Sequence, residues 1–477
     1  MTDVRRTLDA LLADPGVAGV LRSVRRVAAD ANPVIGSVDF DSRGVSAGAL
    51  FCCVPGDRFD GHDFAAAAVQ QGAVALLVSR PLDIDVTQLI VDDVRGAMAL
   101  VAAAFHDHPS RAMRLVGVTG TNGKTTTTSL IAAVLEHAGV QTGVIGTLTG
   151  VHTTPEAPDL QRRLAEFRDA GCGAVAMEVS SHALALGRVV GCQFDLAVFT
   201  NLGRDHLDLH GTMERYFAAK ALLFEPALAA RGLANVDDVH GRLLAEASGI
   251  PMSRFSLDDV DDMVVTPTSH GYTWRGQWVQ VGMGGSFNVM NSLAAAEACV
   301  LLGIPPDTVA AGLAGAPPVA GRFEPVRSGQ PFDVIVDYAH TPDGISAVLA
   351  AVRSVTEGRV IIVFGCGGDR DREKRPEMGE AAARLADMVV VTSDNPRSED
   401  PMSIINAITA GVPEDYRQRV VSQPDRRRAL ATAFDAASPG DVVVVAGKGH
   451  ETTQTVGASV LPFDDRAVAR ELLGGSR

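Results

Sequence analysis

Cysteine is scarce in this 477-residue chain, and its spacing excludes two common uses of the residue. No two cysteines form the C-x-x-C pair that is typical of zinc sites, and the pattern does not indicate a disulfide framework. The six residues are Cys52, Cys53, Cys172, Cys192, Cys299 and Cys366. We therefore expect buried thiols in the reducing cytoplasm.

Long hydrophobic runs and low-complexity stretches are also missing from the sequence. No uninterrupted apolar run approaches the roughly 20 residues that a membrane-spanning helix needs. Residues 1–6 lack the apolar region of a signal peptide. These absences predict a cytoplasmic protein without membrane insertion.

An excess of positive charge is absent as well, because the formal net charge is −15. We do not expect so acidic a chain to bind nucleic acid or an anionic membrane as its main partner. Anionic substrates would have to be held by local arginine, lysine, Mg²⁺ and helix ends.

The length predicts two to four domains, and the order of strand-like and helix-like segments separates three blocks. We place these blocks at residues 1–110, 111–320 and 321–477. The first block contains a strand-like run at 49–54 that follows a polar turn at 41–43.

A glycine-rich segment opens the second block between a predicted strand at 113–116 and a predicted helix at 129–135. Such a turn exposes backbone N–H groups and aims a positive helix end at a phosphate. Lys124 would reach the β- and γ-phosphates, and the Thr125 hydroxyl would help to hold Mg²⁺. Val118 stands where the standard pattern has its first glycine. We predict an ATP site formed by Gly120, Thr121, Asn122, Gly123, Lys124, Thr125 and Thr126.

The rest of the second block alternates strands with helices and then changes character. Strands are predicted at 142–147, 174–179 and 196–200. Residues 263–283 alternate in polarity and turn at 270–271, which is typical of antiparallel ribbon.

Two polar residues near these strand ends suggest metal chemistry. Glu178 lies inside an apolar strand, and a buried carboxylate needs a partner, which could be a metal or a salt bridge. His206 alone would be a hydrogen-bonded core histidine. Together with Glu178 and the phosphate loop it becomes a candidate Mg²⁺ ligand, although imidazole is unusual for so hard an ion.

Lys220 is predicted to share the apolar stripe of a helix at 213–224. Such a lysine often extends its ammonium group to water. The alternative is a lysine that points into a site, where its surroundings alter its chemistry.

The third block has the pattern of a doubly wound α/β sheet, whose ligands bind beyond the carboxyl ends of the strands. Its predicted strands are 334–337, 360–364, 388–392 and 442–446. Each is followed by a polar loop, at 337–343, 365–372, 393–397 and 446–451. Arginines and acids alternate in these loops, which suits a zwitterionic ligand.

These motifs, in this order, resemble the Mur ligase family over nearly the whole chain. The matching segments are 120–126, 152–156, 177–182, 200–210, 288–291, 337–343, 394–397 and 447–451. The resemblance implies a three-domain α/β fold. It would have an N-terminal α/β UDP-binding domain, a central P-loop ATPase-like parallel sheet with a small antiparallel sheet, and a C-terminal Rossmann-like doubly wound domain.

The resemblance also implies a reaction in peptidoglycan precursor synthesis and hence in cell-wall biogenesis. A monomeric, ATP-dependent ligase would add meso-2,6-diaminopimelate to UDP-MurNAc-L-Ala-D-Glu through an acyl phosphate. The family pattern implies catalytic roles for Lys124, Glu178, His206 and Lys220. It implies Mg²⁺ ligation by Thr125, Glu178, His206 and a carbamylated Lys220. Further contacts to the nucleotide would come from Asn291, Arg322, Asp337 and Tyr338.

Substrate contacts follow from the same resemblance. Ser42 corresponds to the uridine side, and the muramoyl-dipeptide would meet Thr153, Thr154, Ser181 and Arg188. The amino-acid pocket would be formed by Arg370, Asp394, Asn395, Arg397, Gly447 and Glu451. Residues 394–397 resemble the version in diaminopimelate-adding members, whereas lysine-adding members lack this arginine.

The chain departs from the family pattern at Gly203, Leu209 and Thr453, none of which is assigned a catalytic role. Four alternatives are weighed. A lysine-adding ligase is disfavoured by residues 394–397, and a folylpolyglutamate synthase by the uridine and muramoyl motifs. A non-catalytic homologue is disfavoured by the intact catalytic set. A P-loop GTPase or motor is not supported, because the guanine-reading Asn-Lys-x-Asp motif is missing.

Overall fold

The computed structural model describes residues 4–27, 32–56 and 59–474, so part of the N-terminal segment examined for a signal peptide, residues 1–3, lies outside it. The chain divides into two compact units. Unit 1 comprises Met1–Ser256 with Glu297–Ile304, and unit 2 comprises Leu257–Ala296 with Pro305–Arg477. The three predicted block boundaries stay predictions.

Unit 1 begins with a five-stranded sheet of order β2-β7-β6-β5-β4, in which only the β2–β7 pair is antiparallel. A separate short ladder joins β1 to β3. The elements of this part are β1 (Arg6–Thr7), α1 (Leu8–Leu12), α2 (Pro15–Val20), β2 (Leu21–Arg25), β3 (Val34–Ile35), β4 (Ser37–Asp39), β5 (Ala49–Cys52), α3 (Ala65–Gln70), β6 (Ala75–Val78), β7 (Thr87–Val91) and α4 (Val94–Phe105).

A second, six-stranded sheet in unit 1 has the order β13-β12-β11-β8-β10-β9, and every pair in it is parallel. Its elements are β8 (Arg114–Thr119), α5 (Lys124–His137), β9 (Thr142–Ile145), α6 (Ala157–Asp169), β10 (Ala174–Glu178), α7 (Ser181–Ala185), β11 (Leu196–Phe199), α8 (Leu207–His210), α9 (Met213–Ala221), β12 (Gly232–Asn235), α10 (Val239–Ala247) and β13 (Met252–Phe255).

The position of β8 between β10 and β11 brings three predicted loops to one sheet edge. The carboxyl ends of parallel strands meet at that edge, so the phosphate loop, Glu178 and Thr200 become neighbours. The strands predicted at 142–147, 174–179 and 196–200 are confirmed within two residues at each end. Strands β12 and β13 were not predicted.

Unit 2 contains a three-stranded antiparallel sheet, which confirms the ribbon predicted at 263–283, and a six-stranded sheet. The turn predicted at 270–271 is wrong, because these residues lie in the second strand of the ribbon and the chain turns at 266–269 and 275–276. The elements are β14 (Asp261–Val265), β15 (His270–Trp274), β16 (Gln277–Val281), α11 (Ser286–Leu301), α12 (Pro306–Ala314), β17 (Glu324–Pro325), β18 (Asp333–Asp337), α13 (Pro342–Arg353), β19 (Val360–Phe364), α14 (Lys374–Leu385), β20 (Met388–Val391), α15 (Pro401–Thr409), β21 (Val420–Ser422), α16 (Arg426–Ala436), β22 (Val442–Ala446), β23 (Thr453–Val456), β24 (Ser459–Pro462) and α17 (Asp465–Gly474). Helix α11 continues from unit 2 into unit 1.

The larger sheet of unit 2 has the order β17-β18-β22-β19-β20-β21 and is parallel except for β17. Strands β19 and β22 are runs of valine and isoleucine with no exposed residue, as expected for strands covered by helices on both faces. The predicted doubly wound pattern is confirmed, and the four polar loops follow the carboxyl ends of four parallel strands.

Two predictions about the whole chain can also be compared with the structure. The six cysteines are buried free thiols, as expected. In the part of the chain that the structure describes, no helix combines the length and the apolarity needed to span a bilayer.

Candidate active site

The phosphate loop joins β8 to α5 and depends on two glycines with positive φ. Gly120 has φ +151°, and a Cβ there would collide with the Thr200 hydroxyl. Gly123 has φ +85° and precedes Lys124 as the N-cap residue, without a capping side chain. A helix N-terminus that is not closed by a side chain suits an anion such as a phosphate.

Two lysines converge on one carbonyl of this loop. Lys124 Nζ donates to Gly120 O at 2.9 Å and to Thr121 O at 2.8 Å. Lys220 Nζ, from α9, donates to the same Gly120 O at 2.8 Å. Two ammonium groups on one acceptor repel each other, so this arrangement favours an anion nearby or a neutral amine.

Lys220 is buried along its whole length, with a relative exposure of 1%. The prediction that its ammonium extends to water is therefore wrong, because the amine lies against the Gly120 carbonyl instead. Its Nζ lies 4.5 Å from the centre of the Tyr216 ring. Burial, and then the charge of Lys124, lower the pKa of the Lys220 amine well below its usual value.

Glu178 is the buried last residue of β10, and its carboxylate is held by neutral donors. Oε2 accepts from Thr125 Oγ1 at 2.9 Å, and Oε1 accepts from the Thr147 backbone N at 2.8 Å. A Cβ at Gly146 would collide with Oε1. Among the described residues the contacts of Glu178 include no cation, so of the two partners considered, a metal and a salt bridge, they do not support the salt bridge.

His206 lies in the segment that follows the carboxyl end of β11, and its backbone is in a left-handed conformation with φ +52°. Such strain in a residue other than glycine tends to mark functional positions. The ring centre lies 4.7 Å from that of His182, and Nε2 lies 3.4 Å from Asp205 Oδ2. Burial is the main cause that lowers the pKa of His206, which favours the neutral imidazole that can ligate a metal.

The donor chemistry at this edge fits Mg²⁺. The Thr125 hydroxyl and the Glu178 carboxylate are two oxygen donors in direct contact, and Mg²⁺ prefers oxygen ligands. Within the described ranges, no three His, Cys, Asp or Glu side chains form a ready metal cage. A magnesium ion would therefore take further oxygens from ATP and water, as is usual for this ion.

The residues predicted to contact the muramoyl-dipeptide surround the end of β10. Thr154 Oγ1 donates to Glu178 O at 2.9 Å and accepts from Ser180 N at 3.0 Å. Thr153 Oγ1 lies 3.0 Å from the Thr147 hydroxyl. The Ser181 hydroxyl is buried and lies 3.0 Å from His210 Nε2, so it already has a partner.

Arg188 completes this group and retains an unused donor. Its Nη1 donates to Thr154 O at 3.0 Å, and its Nη2 lies 2.7 Å from Glu156 Oε1. Its Nε is buried without an acceptor among the described residues. A buried donor without a partner is costly, so a substrate carboxylate or carbonyl is a fitting acceptor.

Ser42 lies in the turn after β4. Its neighbours Asp41 and Gly44 line a cavity of about 950 Å³, together with Asp159 and Arg162 of α6. The cavity is large enough for a nucleotide-sized group.

Three of the four additional nucleotide residues are brought together in unit 2. The Arg322 guanidinium stacks on the Tyr338 ring at 4.8 Å. Asp337 accepts from Phe323 N at 2.7 Å and from Ala339 N at 2.8 Å, and burial raises the pKa of its carboxyl group. Asn291 lies on α11.

The six residues predicted for the amino-acid pocket follow the carboxyl ends of β19, β20 and β22. Arg397 Nη1 donates to Gly368 O at 2.6 Å, and this residue has φ +51°. Arg370 Cγ would lie 3.7 Å from a Cβ at Gly367, and Arg397 Nη1 2.9 Å from it, so both arginines flank this glycine.

The acidic side of the pocket is closely packed. Asn395 Nδ2 donates to Glu451 Oε2 at 2.8 Å. Gly447 has φ +107°, and a Cβ there would lie 2.7 Å from Asp394 Oδ2. Burial raises the pKa of the Asp394 carboxyl group. The structure thus brings all six predicted residues to one edge of this sheet.

Lys448 was not predicted as a site residue, although it lies inside the pocket network. It is fully buried, and its Nζ donates to Thr453 O at 2.6 Å and lies 3.2 Å from Glu451 Oε2. It also approaches Asn395 Oδ1 at 3.5 Å. The composition could have drawn attention to Lys448, because lysine is rare in this sequence. Only four of the 42 lysine and arginine residues are lysines: Lys124, Lys220, Lys374 and Lys448.

Comparison with known families gives three consecutive matches. The family model described as the catalytic domain of the Mur ligase family matches residues 34–115. The Mur ligase middle domain matches residues 118–299, and the Mur ligase glutamate ligase domain matches residues 321–449.

Individual proteins are similar over nearly the full length. The chain is 46% identical over 467 residues to a UDP-N-acetylmuramoyl-L-alanyl-D-glutamate–2,6-diaminopimelate ligase of Geobacillus kaustophilus, covering 92% of this chain and 95% of that protein. It is 45% identical over 474 residues to a ligase of the same name from Streptomyces avermitilis, covering 91% and 92%. A solved structure of a ligase with this name superposes with a TM-score of 0.66 at 32% identity, covering 92% of this chain and 95% of the other.

Proposed function

Because the chain belongs to the Mur ligase family, we propose that it catalyses the ATP-dependent addition of 2,6-diaminopimelate to UDP-N-acetylmuramoyl-L-alanyl-D-glutamate. The reaction forms an amide bond in peptidoglycan synthesis and releases ADP and phosphate. The observation that carries the choice of amino acid is the Arg397 guanidinium, which lies against Gly368 at the sheet edge that also holds the hydrogen-bonded Asn395 and Glu451.

The first step is the activation of a carboxylate in unit 1. A carboxylate oxygen of the D-glutamyl residue attacks the γ-phosphorus of ATP, and the bond from that phosphorus to the β,γ-bridging oxygen breaks. ADP departs as the leaving group, and an acyl phosphate is formed. Carboxylate and triphosphate repel each other, so positive groups must hold them together. Lys124 and the N-terminal end of α5 supply this charge, and the free Arg188 Nε orients the peptide.

Mg²⁺ would be held by Thr125, Glu178, His206 and a carboxylated Lys220. When bound, the ion neutralises charge on the phosphate oxygens. The contact between the Thr125 hydroxyl and Glu178 supports this choice of ligands. The neutral form of His206 supports its inclusion.

Carboxylation of Lys220 explains why a lysine lies beside a second lysine. The uncharged amine attacks CO₂, a C–N bond forms, and the proton leaves to water, so a carbamate anion replaces a cation. The pKa of the Lys220 amine is lowered by burial and by Lys124, which keeps the nucleophilic form populated. The product anion then compensates Lys124.

The second step uses the pocket of unit 2. An uncharged amine of diaminopimelate attacks the acyl carbon, the bond to the phosphate oxygen breaks, and the amine loses its proton. Arg397 binds the distal carboxylate through two parallel hydrogen bonds, and Glu451 and Asp394 bind the distal ammonium group. Water must be excluded, because it would hydrolyse the acyl phosphate.

The proposal extends to a monomer that works in the cytoplasm, where ATP and UDP-linked precursors are available. A lysine-adding activity is the second candidate. It is disfavoured because L-lysine has no distal carboxylate to pair with the half-buried Arg397. A site built to bind such a group discriminates against an analogue that lacks it, on the order of 10³ in selectivity.

Phosphate release tests the proposal with ATP, Mg²⁺ and UDP-MurNAc-L-Ala-D-Glu, offering meso-diaminopimelate or L-lysine in parallel. We expect turnover with diaminopimelate only, and its loss in Arg397→Ala. Arg372→Ala is the matched control, because this arginine is exposed and pairs with Glu399 at 3.3 Å. Turnover with lysine would contradict the pocket assignment, and no turnover with either amino acid would contradict the reaction.

A further inference from the structure

Arg426 is a fully buried arginine at the start of α16, behind the amino-acid pocket. Its Nε and Nη2 each donate to one carboxylate oxygen of Asp465 at 2.7 Å. Asp465 begins α17 and is itself 0% exposed. The pair is bidentate, which is the most rigid geometry available to these side chains.

The remaining donors of Arg426 reach two loops of the pocket. Nη1 donates to Ser393 O at 3.2 Å, and Nη2 donates to Ala446 O at 2.9 Å. These carbonyl groups immediately precede Asp394 and Gly447 in the chain. They follow β20 and end β22, two strands that are separated in the sheet by β19.

One guanidinium therefore holds the starting points of two pocket loops that do not lie on neighbouring strands. Its charge also acts on the pocket, because burial raises the pKa of Asp394 and Arg426 opposes this rise. Lys448 opposes it from the neighbouring loop.

A buried arginine–aspartate pair can also be purely structural. The same sheet contains a second arginine–aspartate pair for comparison, in which the aspartate is buried and the arginine is half-exposed. Arg359 precedes β19, and its Nη2 donates to Asp441 Oδ2 at 2.7 Å and to Ala436 O at 2.6 Å. Asp441 precedes β22, so this pair joins the same region of the sheet at the amino ends of the strands. Within the part of the chain that the structure describes, its hydrogen bonds include no residue of the pocket.

We propose that Arg426, oriented by Asp465, is a positioning residue for the amino-acid pocket. It holds residues 393–397 and 446–451 in one relative geometry, so that Asp394, Asn395 and Gly447 meet the amino acid together. The proposal rests on the proposed function, which assigns these loops to the amino acid.

The kinetic test compares Arg426→Lys with Arg359→Lys, since each substitution keeps the positive charge and removes the planar guanidinium group with its several N–H donors. For Arg426→Lys we expect the KM for diaminopimelate to rise about tenfold or more, because small misplacements of binding groups are costly. The KM for ATP should stay within about twofold. Arg359→Lys should leave both values within about twofold while lowering the melting temperature. Equal KM values for diaminopimelate in the two variants would overturn the proposal.

A second measurement does not depend on activity. Amide hydrogen exchange in residues 393–397 and 446–451 should become faster in Arg426→Lys and stay unchanged in Arg359→Lys. If Arg426→Lys does not fold, Asp465→Asn replaces it with the same expectation. Unchanged exchange in both loops would overturn the positioning role even if the wild-type enzyme is active. If the wild-type protein is inactive but exchange in these loops is faster in Arg426→Lys, the positioning role is upheld and the proposed reaction is contradicted.

Discussion

Each unit has one sheet edge with candidate site residues, and the charged side chains at the two edges are paired differently. At the edge of unit 1, like charges meet, because Lys124 and Lys220 donate to the same carbonyl of Gly120. At the edge of unit 2, opposite charges are already paired, as in Lys448 with Glu451 and Arg426 with Asp465. The first edge favours an anion nearby or a neutral Lys220 amine, whereas the second already contains two ion pairs.

This difference follows from the ligands. A triphosphate carries several negative charges and is recognised by backbone N–H groups, a helix end and unpaired cations. A zwitterion carries both signs and is recognised by arginine and carboxylate groups held in fixed positions. We therefore expect changes in unit 1 to act on kcat and changes in unit 2 to act on the KM for the amino acid.

The largest expected effect is at Lys124. Lys124→Met removes the cation that is proposed to face the transferred phosphoryl group, so kcat should fall by about 10³-fold or more. Lys374→Met is the control, since this lysine donates to the backbone of His340, and it should change kcat by less than about threefold. A Lys124→Met enzyme with normal kcat would show that the phosphate loop does not bind the reacting nucleotide.

The next effect concerns Lys220 and dissolved CO₂. If Lys220 serves as the proposed carboxylated Mg²⁺ ligand, Lys220→Met should lower kcat by about 10²-fold. Wild-type activity should fall in CO₂-depleted buffer and return on addition of bicarbonate. Incorporation of ¹³CO₂ at Lys220, measured by ¹³C NMR, checks the modification directly. A wild-type signal that persists in Lys220→Met would place the carbamate elsewhere.

A smaller effect is expected at Lys448, which lies at the sheet edge of unit 2. Lys448→Met removes a donor from Glu451 and Asn395, so the KM for diaminopimelate should rise about tenfold, which corresponds to one or two lost hydrogen bonds. The KM for ATP should be unchanged. If kcat falls and the KM for diaminopimelate does not rise, the two edges do not differ as described.

The smallest effect concerns stability and pH. The pKa of Lys220 is lower in the folded protein than in the unfolded chain, where it has its usual value. Between the folded and the unfolded pKa, unfolding therefore takes up a proton, so the stability contributed by this site rises with pH over that range. In CO₂-free buffer, Lys220→Met should melt at a higher temperature than the wild type at pH 7, and the difference should shrink towards pH 10. A constant difference across this range would contradict the lowered pKa.

Much of the fold could be predicted because its signals are local. Strands β10, β11, β19 and β22 are continuous apolar runs that end in polar loops, and all four were predicted. Strands β12 and β13 were missed, because Gly232–Asn235 and Met252–Phe255 are short runs of mixed polarity. Their strand form depends on pairing with β11 and with each other.

The candidate site residues also divide into those that a local sequence pattern indicates and those that only distant contacts reveal. Glu178 was recognised as a buried carboxylate that needs a partner, but its donors Thr125 and Thr147 lie 53 and 31 residues away in sequence. Lys448 was overlooked, because a lysine between two glycines resembles a solvated turn. Its ammonium group is placed inside the protein by contacts with Thr453, Glu451 and Asn395, which the loop sequence alone does not show.

The sequence by itself determined the phosphate loop, the strand–helix alternation of both large sheets and the acid–arginine loops of the pocket. Each of these is encoded in consecutive residues, because the chain must turn, cap a helix or end a strand at that point. Tertiary structure decided which charges meet. It carried Lys220 to a carbonyl 100 residues away and Arg426 to carbonyls 33 and 20 residues away. The pairing of buried charges depends on distance and burial, which no single segment of the chain encodes.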